Sequence, residues 1–145
     1  MKMLVSTKGR YALRVMIDLA EHYNSTYIPL KEIAARQDIS EKYLESILAT
    51  LSKARLVLAL RGKGGGYMLT KDPSLYTVGS ILKATEGDLA PVACLSQSSG
   101  MCERTSECKT LPVWTKLRDI IDEYLESVTL SDLAFGGTDG GDYVI

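Results

Sequence analysis

Cys94, Cys102 and Cys108 stand within 15 residues of one another and are the only cysteines of the chain. Seven residues separate the first two and five the last two, in a stretch rich in Ser, Gly and Thr. Such a loop can fold back until three sulfurs converge. In a reducing compartment a thiolate group of this kind is better explained by metal than by a structural disulfide. Zinc would want four protein ligands and closer Cys-x2-Cys pairs, which the chain lacks. An iron–sulfur cluster tolerates wider spacing and a non-thiolate ligand, although four cysteines are the commoner set. Spacing alone leaves a cluster, a thiol redox switch and zinc open, with iron leading. No Ser-His-Asp set, paired-carboxylate motif or cofactor fingerprint is readable elsewhere, so the chain is not expected to be an enzyme.

The elements ahead of these cysteines point to a duplex-holding fold, mainly α with a small β-wing. Leu30 to Gln37 reads as a helix whose inner face is Leu30, Ile33 and Ala34, with Pro29 tolerated in its first turn because an N–H there has no intrahelical partner. A turn at Asp38-Ile39 leads to a second helix over Ser40 to Arg55. In it Leu44, Ile47, Leu48 and Leu51 fall at offsets 0, 3, 4 and 7 and form one apolar stripe. Ser40 is placed to cap it. The exposed N-terminal end, with Lys42, Tyr43, Glu45 and Ser46, would enter a major groove. Val57 to Leu60 and Tyr67 to Leu69 follow as β-prone runs around Arg61-Gly62-Lys63-Gly64-Gly65-Gly66, whose glycines permit positive φ. Arg61 and Lys63 are the only side chains at that tip, so it can enter a narrow minor groove, where guanidinium is favoured. A phosphate-loop reading is weaker, because the Gly-Lys-Ser/Thr ending and a following helix are missing.

Charge placement agrees. The formal net charge is −1, yet residues 1–70 hold 11 Lys/Arg against 6 Asp/Glu, and residues 71–145 hold 6 against 12. The basic excess lies where the reading elements lie and supplies a salt-dependent attraction to phosphates. Hydrophobic residues make up 46% of the chain, which argues against general disorder and for a real core. No apolar run reaches membrane-spanning length and the first residues do not form a secretory signal, so a soluble, cytoplasmic protein without membrane contact is expected. An N-terminal helix begins at Ser6 or Thr7 and carries Tyr11, Ala12, Leu13, Met16, Ile17, Leu19 and Ala20 inward. Lys8, Arg10 and Arg14 near its start are candidate phosphate anchors, with Lys8 and Arg10 carried as contacts.

After a turn at Asp72-Pro73-Ser74, Thr77 to Gly87 reads as a short helix closed by its last glycine. From Pro112 onward Val113, Trp114, Leu117, Ile120, Ile121, Tyr124, Leu125 and Val128 repeat at three and four. This long amphipathic helix needs a partner, and a two-fold homodimer would set two reading helices on successive half-sites of a palindromic operator in double-stranded DNA. The organisation expected is a winged helix-turn-helix domain over 1–87, a cysteine-containing loop over 88–111, a dimerisation helix over 112–135 and a flexible tail over 136–145.

Ile39-Ser40-Glu41-Lys42-Tyr43-Leu44-Glu45, Ile47-Leu48, Arg61 to Tyr67, Val78-Gly79, Glu86-Gly87 and Cys108 ahead of Trp114 together resemble the IscR-like family of winged helix-turn-helix transcription regulators, with NsrR and CymR as relatives. The resemblance spans almost the whole chain. It implies that Cys94, Cys102 and Cys108 hold a [2Fe-2S] cluster, with [4Fe-4S] as the alternative, that Glu45 and its neighbours read bases, and that Arg61 contacts the minor groove. Cluster status would then govern a repressor of iron–sulfur biogenesis or stress genes. Likeness to CymR implies instead a cluster-free or thiol-redox regulator of cysteine and sulfur metabolism under partner-protein control. Likeness to NsrR implies a nitric-oxide sensor, but the carboxylate expected early in the first helix is matched here by Arg10. The histidine of IscR-like members three residues after the third cysteine is matched by Leu111, and the chain's one histidine is His22. The fourth ligand is therefore unassigned. The gap of seven residues exceeds the family's usual five, and Arg55 stands where a glycine is usual.

Overall fold

The computed structural model describes residues 5–24, 26–87 and 109–136. The elements run α1 (Thr7–Glu21), α2 (Leu30–Gln37), α3 (Glu41–Lys53), β1 (Val57–Leu60), β2 (Gly66–Leu69), a 3-10 turn (Pro73–Leu75), α4 (Val78–Glu86), α5 (Leu111–Ser127) and α6 (Leu130–Phe135). Helices therefore dominate, around one two-stranded antiparallel sheet. The core is built where periodicity predicts. Leu44, Ile47, Leu48 and Leu51 of α3 are fully buried, against Ala12, Val15, Met16 and Leu19 of α1 and Ile33 of α2. Each such leucine contributes about 1.5–3 kcal/mol through burial.

The helix ends follow from side-chain chemistry. Ser6, Ser40 and Thr77 cap α1, α3 and α4 by accepting from the N–H groups of Gly9, Tyr43 and Ser80. The C-terminus of α3 closes in a Schellman turn, with Leu56 N–H donating to the Leu51 carbonyl at 3.0 Å and Arg55 N–H to that of Ser52 at 2.9 Å. Arg55 occupies the left-handed position of that turn at φ 62°. This is where glycine would sit without strain.

Asp18 fastens α1 to α2. Its carboxylate is buried and accepts from Arg36 at 2.9 and 2.8 Å and from Gln37 Nε2 at 2.9 Å. Burial by itself pushes the acid upward, but the Arg36 and Gln37 hydrogen bonds and the Arg36 charge outweigh it and hold Asp18 below its ordinary value. Arg14 completes the corner by donating to the Gln37 side-chain oxygen at 3.1 Å and the Gln37 carbonyl at 2.8 Å, while lying over the Tyr11 ring.

In the wing, Val57 pairs with Leu69 and Leu60 with Gly66. Ile28, in the connection between α1 and α2, adds a bridge to Tyr67 on the other edge of β2, with bonds of 2.8 and 2.9 Å. The tip turns through Gly62 and Gly64 at φ 95° and 79°. Its base is tied down by Tyr76, a fully buried ring whose hydroxyl donates to the Leu56 carbonyl at 2.7 Å and accepts from the Thr70 N–H at 2.8 Å.

The C-terminal expectation needs correction. The helix expected over 112–135 is two helices, because Thr129 and Asp132 form a reciprocal capping box that starts α6. Thr129 bridges Thr77, and Leu130 is fully buried in the core of the winged unit. Helix α5 divides its apolar residues between two faces. Leu125 and Val128 pack on Val78 and Leu82 of α4. Val113, Leu117, Ile120 and Tyr124 form an exposed stripe. Glu126 secures α5 to the start of α4, accepting from Thr77 Oγ1 at 3.0 Å and lying 3.6 Å from Lys83 Nζ.

Candidate nucleic-acid interface

The buried stripe of α3 fixes what its other faces present. With Leu44, Ile47, Leu48 and Leu51 inward, Glu41, Lys42, Glu45, Ser46 and Ala49 are exposed. Lys42 and Glu45 have no hydrogen-bond or ion-pair partner among the described residues, so both remain available to an incoming ligand. At the N-terminal end of α3 Ser40 Oγ accepts from the Tyr43 N–H, satisfying one of the amides that lack an intrahelical partner. Tyr43 differs from its neighbours. It is half-buried and meets the Tyr11 ring edge-on at 5.8 Å, so much of its surface is given to packing α3 on α1.

Arg61 and Lys63 are exposed at the wing, reached directly from α3 through the Schellman turn and β1. A Cβ on Gly65 would collide with the Leu60 carbonyl oxygen, and one on Gly66 with that of Ile28. The close backbone turn thus depends on these positions lacking side chains, and it leaves two cations on a slender tip.

The basic residues of α1 do not behave alike. Arg10 is exposed and, among the described residues, its guanidinium reaches only Thr7 Oγ1, at 3.3 Å. Lys8 is half-buried and donates to Thr50 Oγ1 of α3 at 2.9 Å. Arg14 is engaged by Gln37 and Tyr11, so of the two expected contacts Arg10 is the more open, while Lys8, like Arg14, also serves the packing of α1 on its neighbours. Sequence reasoning placed Arg14 by its charge and could not see the Gln37 carbonyl, which only the fold brings to it.

Cys94, Cys102 and Cys108 lie outside the described residues. Leu111, at the position of the family histidine, is half-buried in the first turn of α5 and has no lone pair to offer. His22 sits at the far end of α1 from Ser6, which contacts Glu86 where the cysteine segment departs. That is about 24 Å along the axis at ~1.5 Å per residue. The His22 Nδ1 atom is 2.8 Å from the Asp18 carbonyl oxygen. Among the described residues no three His, Cys, Asp or Glu side chains converge as a metal site. The chain thus has three cysteines in this segment and, at position 111, a leucine in place of a histidine.

A winged helix-turn-helix with a basic wing and an open reading helix defines a class of transcriptional regulator. Residues 5–135 match the model of the Rrf2 family, described as iron-dependent transcriptional regulators, and the chain belongs to that family. It is 40% identical to the HTH-type transcriptional regulator CymR of Bacillus subtilis over 138 residues, covering 95% of this chain and 94% of that protein. The solved structure of that protein, titled the global cysteine regulator of B. subtilis, superposes with a TM-score of 0.74 at 38% identity, covering 92% of this chain and 96% of the other. IscR of Yersinia pseudotuberculosis is 37% identical over 131 residues, 90% of this chain and 79% of that protein. The structure of T. potens IscR matches with a TM-score of 0.73 at 35% identity, covering 100% of this chain and 94% of that one. These relatives are named as regulators, not enzymes. No described helix is long and apolar enough to cross a membrane.

Proposed function

We propose that the chain acts in the cytoplasm as a homodimer that binds a palindromic operator and represses transcription in response to the state of its cysteines. The observation that carries this reading is the exposed face of α3 beside a glycine-turned wing bearing Arg61 and Lys63. In this reading Lys42, Glu45 and Ser46 meet base edges, Tyr43 contributes its exposed edge, and Arg10 meets a phosphate. Arg61 enters the minor groove and Lys63 lies along the backbone beside it. Lys8 adds positive charge near the duplex while holding Thr50. The exposed stripe of α5, with Val113 at 59%, Ile120 at 51% and Tyr124 at 60% exposure, supports pairing through that helix.

Cys94, Cys102 and Cys108 would hold a [2Fe-2S] cluster, which when bound supplies a redox-sensitive charge and a fixed fold-back of the segment. A second reading, a cluster-free regulator controlled by thiol oxidation or a partner protein, draws support from Leu111 and from the likeness to CymR. Anaerobic purification followed by iron and sulfide analysis separates the two. The cluster reading expects visible-region absorbance that Cys94→Ala, Cys102→Ala and Cys108→Ala each abolish. Colourless, iron-free protein, or absorbance kept in all three variants, contradicts it.

A further inference from the structure

Glu86 is the last residue of α4, and Gly87, at φ 86°, closes that helix where the chain enters the cysteine-bearing segment. The Glu86 carboxylate reaches across to the start of α1. Its Oε1 accepts from Ser6 N–H at 3.1 Å and from Ser6 Oγ at 2.6 Å, while Ser6 Oγ accepts from Gly9 N–H at 3.2 Å. Gly9 is buried beneath it, and a Cβ there would collide with Glu86 Oε1. One residue away, Lys8 donates to Thr50 Oγ1 at 2.9 Å, and Thr50 Oγ1 donates in turn to the Ser46 carbonyl at 3.2 Å. Ser46 neighbours Glu45 on the exposed face of α3. Two sets of hydrogen bonds, joined by the backbone of the first turn of α1, therefore connect the root of the cysteine segment with the reading helix.

We propose that Glu86 is a positioning residue that couples the root of the cysteine segment to α3 through Ser6, Lys8 and Thr50. The inference rests on the DNA-binding reading and deepens it by naming how the same surface is regulated. A displacement of Gly87 carries the carboxylate with it. The first turn of α1 has no slack, because Glu86 is both the outer partner of the Ser6 cap and the group that fills the space above Gly9. Lys8 then follows, and Thr50 with it. The apolar contacts of α3 hold its buried stripe in place, so the motion reaches α3 as a change in the orientation of its exposed side.

The test uses the full chain, prepared anaerobically, and a duplex selected by the wild-type protein from a random-sequence pool. Affinity and amide hydrogen exchange are compared among wild type, Glu86→Ala, Glu86→Gln, Thr50→Val and the double variant Glu86→Ala/Thr50→Val. Glu86→Ala and Thr50→Val should each weaken binding about fivefold, the range expected for a residue on a coupling path. The double variant should also lose about fivefold, because both substitutions cut the same path. Glu86→Gln, which keeps an acceptor oxygen for Ser6, should stay near wild type. Exchange should quicken over 46–50 in Glu86→Ala. Losses that multiply to about 25-fold, or unchanged exchange over 41–53, overturn the proposal. If Glu86→Ala does not fold, Thr50→Val must quicken exchange at 6–9, and unchanged protection there has the same force. Wild-type protein that selects no duplex refutes the DNA-binding reading, while the exchange comparisons still judge the path.

Discussion

Replacing Arg36 by Met should destabilise the protein more than replacing Asp18 by Asn, although both remove one side of the same ion pair. The asymmetry follows from burial. The Asp18 side chain is 2% exposed, whereas that of Arg36 is 33% exposed. In Arg36→Met the carboxylate keeps Gln37 Nε2 and the nearby His22 but loses two charged hydrogen bonds of 2.9 and 2.8 Å. Stranding one partner of a buried pair costs about 3–5 kcal/mol, and the partly open guanidinium site lowers this to roughly 2–4 because water can enter. In Asp18→Asn the guanidinium can turn to solvent, so the loss is about 1–2 kcal/mol. Urea unfolding at pH 7, monitored by far-UV circular dichroism, measures both. The pH dependence has a definite sign. Asp18 is held below its ordinary value, so its contribution is present above the unfolded acid's pKa of about 3.9 and is lost as pH falls through the folded value. The Arg36→Met deficit should therefore be largest at neutral pH and shrink toward pH 3. Equal losses in the two variants, or a deficit that grows on acidification, would refute the reasoning.

Tyr76→Phe should cost about 1–3 kcal/mol, since it strands the Leu56 carbonyl and the Thr70 N–H at the base of the wing; a loss below experimental error in urea unfolding contradicts this. Arg55→Gly should stabilise by about 0.5–1 kcal/mol, relief of the left-handed backbone exceeding the added freedom of the unfolded chain. An unchanged or lower midpoint speaks against that balance. Glu45→Ala should relax base preference at one operator position, by about 1–3 kcal/mol, read by competition among duplexes. Arg61→Ala should weaken binding to all sequences and reduce the salt slope by about 1, read by titration at several salt concentrations. Unaltered preference in the first variant or unaltered slope in the second removes the assigned role.

The winged unit could be read from the chain because its signals are local. The α3 stripe, the Ser40 cap and the extent of β1 all reappear as periodicity and capping chemistry predict. What escaped depends on contacts between distant segments. Tyr76 carries no pattern that marks it as an anchor, since its partners Leu56 and Thr70 meet it only through the hairpin. Thr129 and Asp132 lie inside the helix expected over 112–135, and their capping box becomes evident only where the backbone leaves the helix at Val128. Lys8 and Arg14 stand out in the sequence as charges, and their hold on Thr50 and on the Gln37 carbonyl emerges only from the fold. Glu86 was visible as a motif residue, but its role appears only once Ser6 and Gly9 stand beside it.

Analytical ultracentrifugation of anaerobically prepared protein with its selected duplex tests the central claim most directly. The account predicts two chains per duplex, a dimer that persists without DNA, and dissociation of both when Ile120 and Tyr124 on the exposed stripe of α5 are replaced by Lys. A monomer that shows no preference for the selected duplex over random sequence would contradict it.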